Sequence, residues 1–331
     1  MTFSAAALLT RWISPFLTVA AVAAIAVPVQ SPAIRLAGDD NPLAGQTFYA
    51  DPNSAAMRAA KSADPPNPEL NVIANTPQAY WLDQAFPTSS VGGTVSKYVG
   101  AAQAAGAMPV FALYAIPHRD CGSYAAGGFG SADGYRAWID AIADGLGAMP
   151  ATIIVEPDAV AHTKCLSDDQ LQERFGLLKY AVGALTRDPA AVVYLDGGHS
   201  HWLGADQLAD RLKQSGVDQA RGFSLNANNF FTTDEQIGFG ETVSGLLGGS
   251  HYVIDTSRNG AGPADGAMAW CNPSGRALGV PPTTDTAGAH ADAYLWIKRP
   301  GESDGSCGSG EPAAGQFVSQ YAIDLARNAG R

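Results

Sequence analysis

No run of lysine and arginine longer than an isolated pair occurs in this 331-residue chain, and acidic residues outnumber basic ones 31 to 20. The net charge of −11 argues against nucleic acid and anionic membrane as partners. Cysteine is scarce. There are four, and none shows C-x-x-C spacing, so a zinc site is not expected. No glycine-rich nucleotide fingerprint follows any strand-like segment, and no cofactor is expected. Repeats, low-complexity tracts and inter-domain linkers are also missing, which points to one domain.

The one long apolar run, Ile13 to Val29, follows Arg11 and precedes Gln30-Ser31-Pro32-Ala33. It is long for a signal peptide and borderline for a membrane span, and Pro15 and Pro28 interrupt it. Residues 1–40 are therefore read as a signal peptide or N-terminal anchor with a flexible segment, and residues 41–331 as the folded domain. Either way the domain lies outside the cytosol, secreted or tethered to the cell envelope. Four cysteines suit that address as two disulfides. Three pairings are possible, and sequence order favours Cys121–Cys165 with Cys271–Cys307.

What the chain does contain is alternation. Strand-like segments at Tyr80–Leu82, Met108–Ile116, Thr152–Val155, Ala191–Leu195, Gly222–Leu225, Tyr252–Ile254 and Ala293–Ile297 are separated by helix-like ones. The helical patterns cover Val95–Ala105, Ala132–Leu146, a stretch opening at Ser167 with a Ser167/Gln170 capping box, Ala205–Gln214, Thr233–Leu247 and Phe317–Asn328. Strands apolar on both faces and separated by helices imply a parallel sheet. About seven such units predict an α/β fold, a distorted TIM-like β/α barrel in a single domain.

In such barrels the loops after the strands build the active site. Here every strand from Met108 onward is followed by polar residues: Arg119 and Asp120; Glu156 and Asp158; Asp196, His199 and His201; Asn226, Asn228 and Asn229; Asp255 and Arg258; Lys298, Arg299, Glu302 and Asp304. Any one acid in a loop is more often a cap or turn residue. Six strand ends in succession point instead to a common site. A mouth crowded with carboxylates and rimmed by Trp81, Trp202 and Trp270 looks like a carbohydrate site, and paired carboxylates are what glycosidic cleavage requires. His199-x-His201 could bind a metal, but no third ligand is evident, so hydrogen bonding is expected of both. Glu156, at the strand's edge beside Asp158, is read as a structural partner for an arginine.

The order of these motifs resembles glycoside hydrolase family 6, whose members are cellulases. The resemblance rests on RDC (Arg119–Cys121), VEPD (Val155–Asp158), LDGGHS (Leu195–Ser200), DTSRNG (Asp255–Gly260), WCNPSGRALG (Trp270–Gly279) and LWIKRPGESDG (Leu295–Gly305). It implies a seven-stranded distorted barrel and hydrolysis with inversion at the anomeric carbon. Asp158 matches the family's general acid, Asp120 an assisting carboxylate that tunes its pKa and the water network, and Asp304 the candidate base. Asp196 matches a supporting carboxylate. Tyr114, Trp270, Lys298 and Glu302 match sugar-binding positions, while Trp81, Trp202, Asn226 and Asn229 are expected to bind substrate from their places at the mouth. The two cysteine pairs favoured above are also the family's pairs.

Two departures stand out. The family usually has a serine in the loop six residues after the RDC aspartate, and this chain has Ala126; Ser123 or Ser131 substitutes, or water is held more weakly. The segment Tyr49–Ala60 lacks a tryptophan often found there, which puts one outer sugar subsite in doubt. Only Gly305 to Ala314 separates Asp304 from the last helix, so an open cleft and internal cleavage of a β-1,4-glucan or cellooligosaccharide by a monomeric endoglucanase are expected. The alternatives are a cellobiohydrolase, a hydrolase of a related β-glucan, and a glycan-binding protein with weakened catalysis.

Overall fold

The computed structural model describes residues 1, 2, 41–308 and 310–331. The export segment read at residues 1–40 lies, apart from its first two residues, outside the described residues. Seven strands form one parallel sheet in sequence order: β1 (Tyr80–Leu82), β2 (Val110–Leu113), β3 (Ala151–Val155), β4 (Ala191–Asp196), β5 (Gly222–Leu225), β6 (His251–Asp255) and β7 (Ala291–Leu295). Side-chain alternation sorts them into two layers. Val110, Ala112, Ile154, Val192, Tyr194, Val253, Ala293 and Leu295 fill the inside of the curled sheet. Phe111, Leu113, Ile153, Val155, Val193, Leu195, Phe223 and Ile254 face the helices.

Among the described residues eight helices accompany the sheet: α1 (Ala55–Ser62), α2 (Pro68–Asn75), α3 (Thr88–Ala104), α4 (Ala132–Leu146), α5 (Asp168–Leu185), α6 (Ala205–Gln214), α7 (Thr233–Leu246) and α8 (Ser319–Asn328). The Ser167/Gln170 capping box opens α5 as expected. α3 begins a full two turns earlier than its apolar pattern predicts, because Gly92 and Gly93 mask the pattern. Gly92 is there for space: a Cβ on it would lie 2.7 Å from the Ala141 carbonyl oxygen on α4. α1 and α2 escaped sequence reading altogether, being short. Their caps, Ser54 and Asn67 with Pro68 behind it, were the only signals. Both pack with α8 over Trp296.

The sheet curls into a barrel that does not zip shut. Among the described residues no ladder joins β7 to β1. The seam is spanned instead by Ala79 N–H donating to the Trp296 carbonyl (2.9 Å) and the Trp81 indole N–H donating to the Ile297 carbonyl (2.8 Å). At the amino ends of the strands the interior is plugged by Asp292, which accepts from Tyr194 (2.6 Å) and Arg221 (2.8 Å) and pairs with His251 (2.9 Å).

β2 and β7 stop short of their apolar sequence runs for one reason. The amides that would extend β2 are taken by a carboxylate: Ala115 N–H and Ile116 N–H donate to Glu156 at 2.9 and 3.1 Å. Those past β7, Ile297 N–H and Lys298 N–H, donate to Asp255 at 3.3 and 2.8 Å. Glu156 was expected to pair with an arginine. Its carboxylate accepts from the two backbone amides, the buried Tyr135 hydroxyl also acts on it, and Arg174 of α5 acts on it only electrostatically.

Burial pushes the Glu156 pKa up to about 7, against the two amides, Tyr135 and Arg174, which lower it. In the unfolded chain the group titrates near 4.3, an ordinary glutamate value of roughly that size. Between these values the native state holds a proton that the unfolded state has lost, so stability falls as pH rises, by up to about 1.4 kcal/mol per unit. Glu156→Gln keeps a carbonyl for the amides and removes this contribution. Denaturant titrations from about pH 5 to pH 7 should show a shallower decline than in the parent protein, and an unchanged slope refutes the assignment.

Candidate active site

A cavity of about 960 Å³ occupies the carboxyl ends of the strands. Ten of the sequence-predicted residues line it: Trp81, Tyr114, Asp120, Asp158, Trp202, Asn229, Trp270, Lys298, Glu302 and Asp304. Asp196 and Asn226 do not. Both are fully buried beneath the floor. Asn226 spends its amide N–H groups on the Phe231 and Asp255 carbonyls, 3.0 Å each, so the expectation that it binds substrate is corrected. Asn228, two residues on, lines the cavity in its place.

Asp158 is held by backbone geometry that few residues accept. Glu156 and Asp158 have φ of 53° and 72°, a left-handed conformation that costs non-glycine residues energy and collects at functional sites. Asp196, from the end of β4, fastens this turn: its Oδ1 accepts from Asp158 N–H (2.8 Å) and Gly198 N–H (3.0 Å), and its Oδ2 from the Ser224 hydroxyl (2.8 Å). The Asp158 pKa is raised well above the ordinary aspartate value by burial, then by the charges of Asp196 and Asp120, with Asn228 and Lys298 opposing. Asp196 itself is pushed up to about 7, again chiefly by burial.

Asp120 faces Asp158 from the loop after β2. Its φ is 54°, its Oδ2 accepts from Ala125 N–H (2.7 Å), and His162 Nδ1 lies 3.6 Å from Oδ1. Two arginines fix this loop. Arg119 donates to the Ala125 and Ala126 carbonyls (2.8 and 3.2 Å) and to Gln84 (2.7 Å), and its guanidinium lies 4.5 Å over the Tyr114 ring. Arg174 reaches out of α5 to the Pro117 and Ala159 carbonyls (2.8 and 3.1 Å), joining the loops after β2 and β3. The Cys121–Cys165 disulfide links the same two loops.

Asp304 has the opposite environment. Arg258 grips both its oxygens (3.0 and 2.8 Å), Lys298 Nζ lies 3.2 Å from Oδ1, and Asn272 N–H donates to Oδ2 (3.1 Å). Burial works to raise its pKa, but Arg258 and Lys298 outweigh that and hold it below the ordinary value. The Cys271–Cys307 disulfide closes the loop pair that carries Asn272 and Asp304. Glu302 is buried and paired with Arg299 at 2.9 Å.

Trp81, Trp202 and Trp270 form an aromatic lining, with one addition. Tyr124 stands 5.9 Å from Trp270, ring to ring, and its Cβ packs so closely on Gly305 that a side chain there would collide at 2.5 Å. The loops after β2 and β7 thus touch beside a cleft expected to be open. Nothing in the spacing of the sequence announces this contact. His199 and His201 pack against Phe231 at 4.5 and 4.4 Å, and His201 pairs with Glu235. Burial pushes His199 down to about 4, so it is neutral. Ser123 lines the cavity beside Ala126, whereas Ser131 accepts from Gly134 N–H as the cap of α4.

One carboxylic acid kept protonated, one carboxylate kept ionised, and a bed of tryptophans and hydroxyl-binding groups suit proton donation to a glycosidic oxygen. A family model described as Glycosyl hydrolases family 6 matches residues 43–329. Endoglucanase A of Cellulomonas fimi is 45% identical over 284 residues, 85% of this chain, which spans 61% of that relative. Endoglucanase 1 of Streptomyces halstedii is 41% identical over 289 residues, 84% of this chain and 88% of its own length. Among solved structures, the endoglucanase Cel6 from Mycobacterium tuberculosis, in complex with methyl-cellobiosyl-4-deoxy-4-thio-β-D-cellobioside, is 72% identical with a TM-score of 0.87. It covers 88% of this chain and 100% of its own. The match runs through every strand and every wall of the cleft just described, and on it the chain belongs to glycosyl hydrolases family 6.

Proposed function

We propose that the protein is a secreted endo-β-1,4-glucanase that cleaves internal bonds of a β-1,4-glucan with inversion. Residues 41–331 are read as its catalytic domain, acting as a monomer, and residues 1–40 as its export segment or anchor. The observation that carries the reading is the split between two carboxyls of one cavity, Asp158 pushed up and Asp304 pushed down. The relatives named endoglucanase, and the cellobiosyl-thio-cellobioside bound by the Mycobacterium tuberculosis enzyme, supply the substrate class.

Asp158 donates its proton to the leaving oxygen as the bond breaks. Asp120 raises the acid's pKa while that proton is needed and organises water through its contacts at Ala125 and His162. Asp304 is the candidate base. Ion pairing keeps it charged but also weakens it as a proton acceptor, so it works only as a member of the water network. Asp196 acts from beneath, fixing the Asp158 turn. Tyr114, Trp81, Trp202 and Trp270 offer ring faces to the sugars, and Asn229, Lys298 and Glu302 bond their hydroxyls. Tyr124 meets Trp270 and Gly305 at the cleft's edge, and residues 305–318 make the whole connection to α8, so a chain can enter from the side.

Proton NMR of cellooligosaccharide hydrolysis tests the reading directly. The first product should carry the α configuration at the new reducing end, with cleavage at internal bonds. A β product, or cellobiose alone released from one end, sinks it. Asp158→Asn should lower kcat by about 10² to 10⁴-fold, the usual worth of general acid catalysis, while calorimetry still detects cellooligosaccharide binding. Retained turnover would remove Asp158 from the role. Finally, Ala126→Ser restores a hydroxyl beside Ser123, and kcat should rise by several-fold, one hydrogen bond of about 1 kcal/mol to water. No gain in steady-state rate would show that Ser123 already serves.

A further inference from the structure

The turn that carries Asp158 brings a second ionisable side chain into the cavity. His162 lies four residues further on, outside every sequence motif, and its half-buried imidazole lines the catalytic cavity. Three elements fix where it stands. On its own turn, His162 N–H donates to the Asp158 carbonyl (2.7 Å). From the loop after β4, the Trp202 ring packs on the imidazole with 5.5 Å between centroids. From the loop after β2, Asp120 brings Oδ1 to 3.6 Å from Nδ1. The Cys121–Cys165 disulfide joins the residue after Asp120 to the third residue after His162, so a covalent link holds the two side chains near each other.

Asp120 has two oxygens and two anchors. Oδ2 accepts from Ala125 N–H (2.7 Å), which leaves Oδ1 to the imidazole. A separation of 3.6 Å is long for a hydrogen bond and short enough for an ion pair. The contact therefore strengthens when the ring is charged, and imidazole is the side chain whose charge ordinarily changes between about pH 5 and pH 8. The other charged neighbours are engaged elsewhere. Arg119 gives its guanidinium to Gln84, to the Ala125 and Ala126 carbonyls and to the Tyr114 ring. His199 packs on the same tryptophan (5.2 Å), but burial keeps it neutral. Lys298 pairs with Asp304, which it and Arg258 hold ionised. Asp120 is thus the working carboxylate whose counter-charge comes and goes with pH.

We propose that His162 is a positioning residue for Asp120: its imidazolium aims the carboxylate and keeps it ionised as the medium turns acid, and so sets the acid limit of the reaction. This rests on the glucanase reading above. The sign follows from the charges. A positive ring makes protonation of Asp120 harder, so activity survives to lower pH. At higher pH the ring is neutral, and the full charge of Asp120 acts on Asp158 and helps it keep its proton. The acid limb therefore depends on His162, and the alkaline limb, where Asp158 loses its proton, does not.

The pH profile of kcat/KM reports the essential groups of the free enzyme, and cellohexaose is the substrate on which to measure it. His162→Gln removes the charge, and His162→Phe removes it while keeping a ring against Trp202. In both, the acid limb should move up by about half a pH unit to one unit, the low end for a counter-charge at this separation in a half-buried pair. On that limb kcat/KM then falls about three- to tenfold below the parent, while the alkaline limb keeps its position. His162→Lys keeps a positive charge and should return the acid limb to its place. Its permanent charge should also draw the alkaline limb down. Circular dichroism verifies that each variant is folded. An acid limb that stays put in both neutral variants overturns the proposal, and so does an even loss at every pH, which is what a merely structural role would give. Both outcomes leave the glucanase reading intact. A parent protein that does not cleave cellohexaose overturns that reading, and the role of His162 with it.

Discussion

A parallel strand leaves the amides beyond its carboxyl end without ladder partners, and in a buried barrel mouth those groups must be satisfied. This protein does so with carboxylates. Glu156 takes the amides past β2, Asp196 the amide of Asp158 past β3, and Asp255 those past β7. Each acid sits at or just beyond the end of one strand and holds the exit of its neighbour. The loops that carry Asp158 and Lys298 therefore leave the sheet in fixed directions. Removing any of these acids would strip hydrogen bonds from the backbone itself.

The same buried acids set the electrostatics above them. Asp196 fastens the Asp158 turn and, by its charge, makes proton loss from Asp158 harder. Structure and pKa tuning are one contact. Across the cleft the logic is reversed: Arg258 is fully buried, lies 4.3 Å over Phe230, and has Asp304 as its chief counter-charge. Neither carboxyl could exchange environments with the other without leaving a charge unpaired in the interior, which is costly.

Much of this was legible in the chain. Alternating apolar runs give seven strands in order, and acids placed just after those runs mark the mouth. Helices α4 and α6 begin and end where their apolar spacing places them. The errors have physical causes. α3 was cut short because glycines chosen for close helix contact look like a loop. α1 and α2 are too short for periodicity to register. Asn226 and Asn228 are indistinguishable as residues at a strand end, and both have left-handed φ (70° and 63°), yet the first bonds the Phe231 and Asp255 carbonyls and the second lines the cleft.

The sequence by itself determined the order of the seven strands and of the helices from α3 onward and placed the acids at the strand ends, because strand periodicity is a local property of the chain; the cysteine pairs it only favoured, and the roles of the acids came from the family resemblance. The tertiary structure alone decided which acid is protonated and which is ionised, since that depends on neighbours far away in sequence: Asp196 and Asp120 around Asp158, Arg258 and Lys298 around Asp304. It also decided that, among the described residues, no ladder joins β7 to β1 and that Tyr124 meets Trp270. Both depend on where chain segments well over a hundred residues apart come to rest, and no local pattern encodes that.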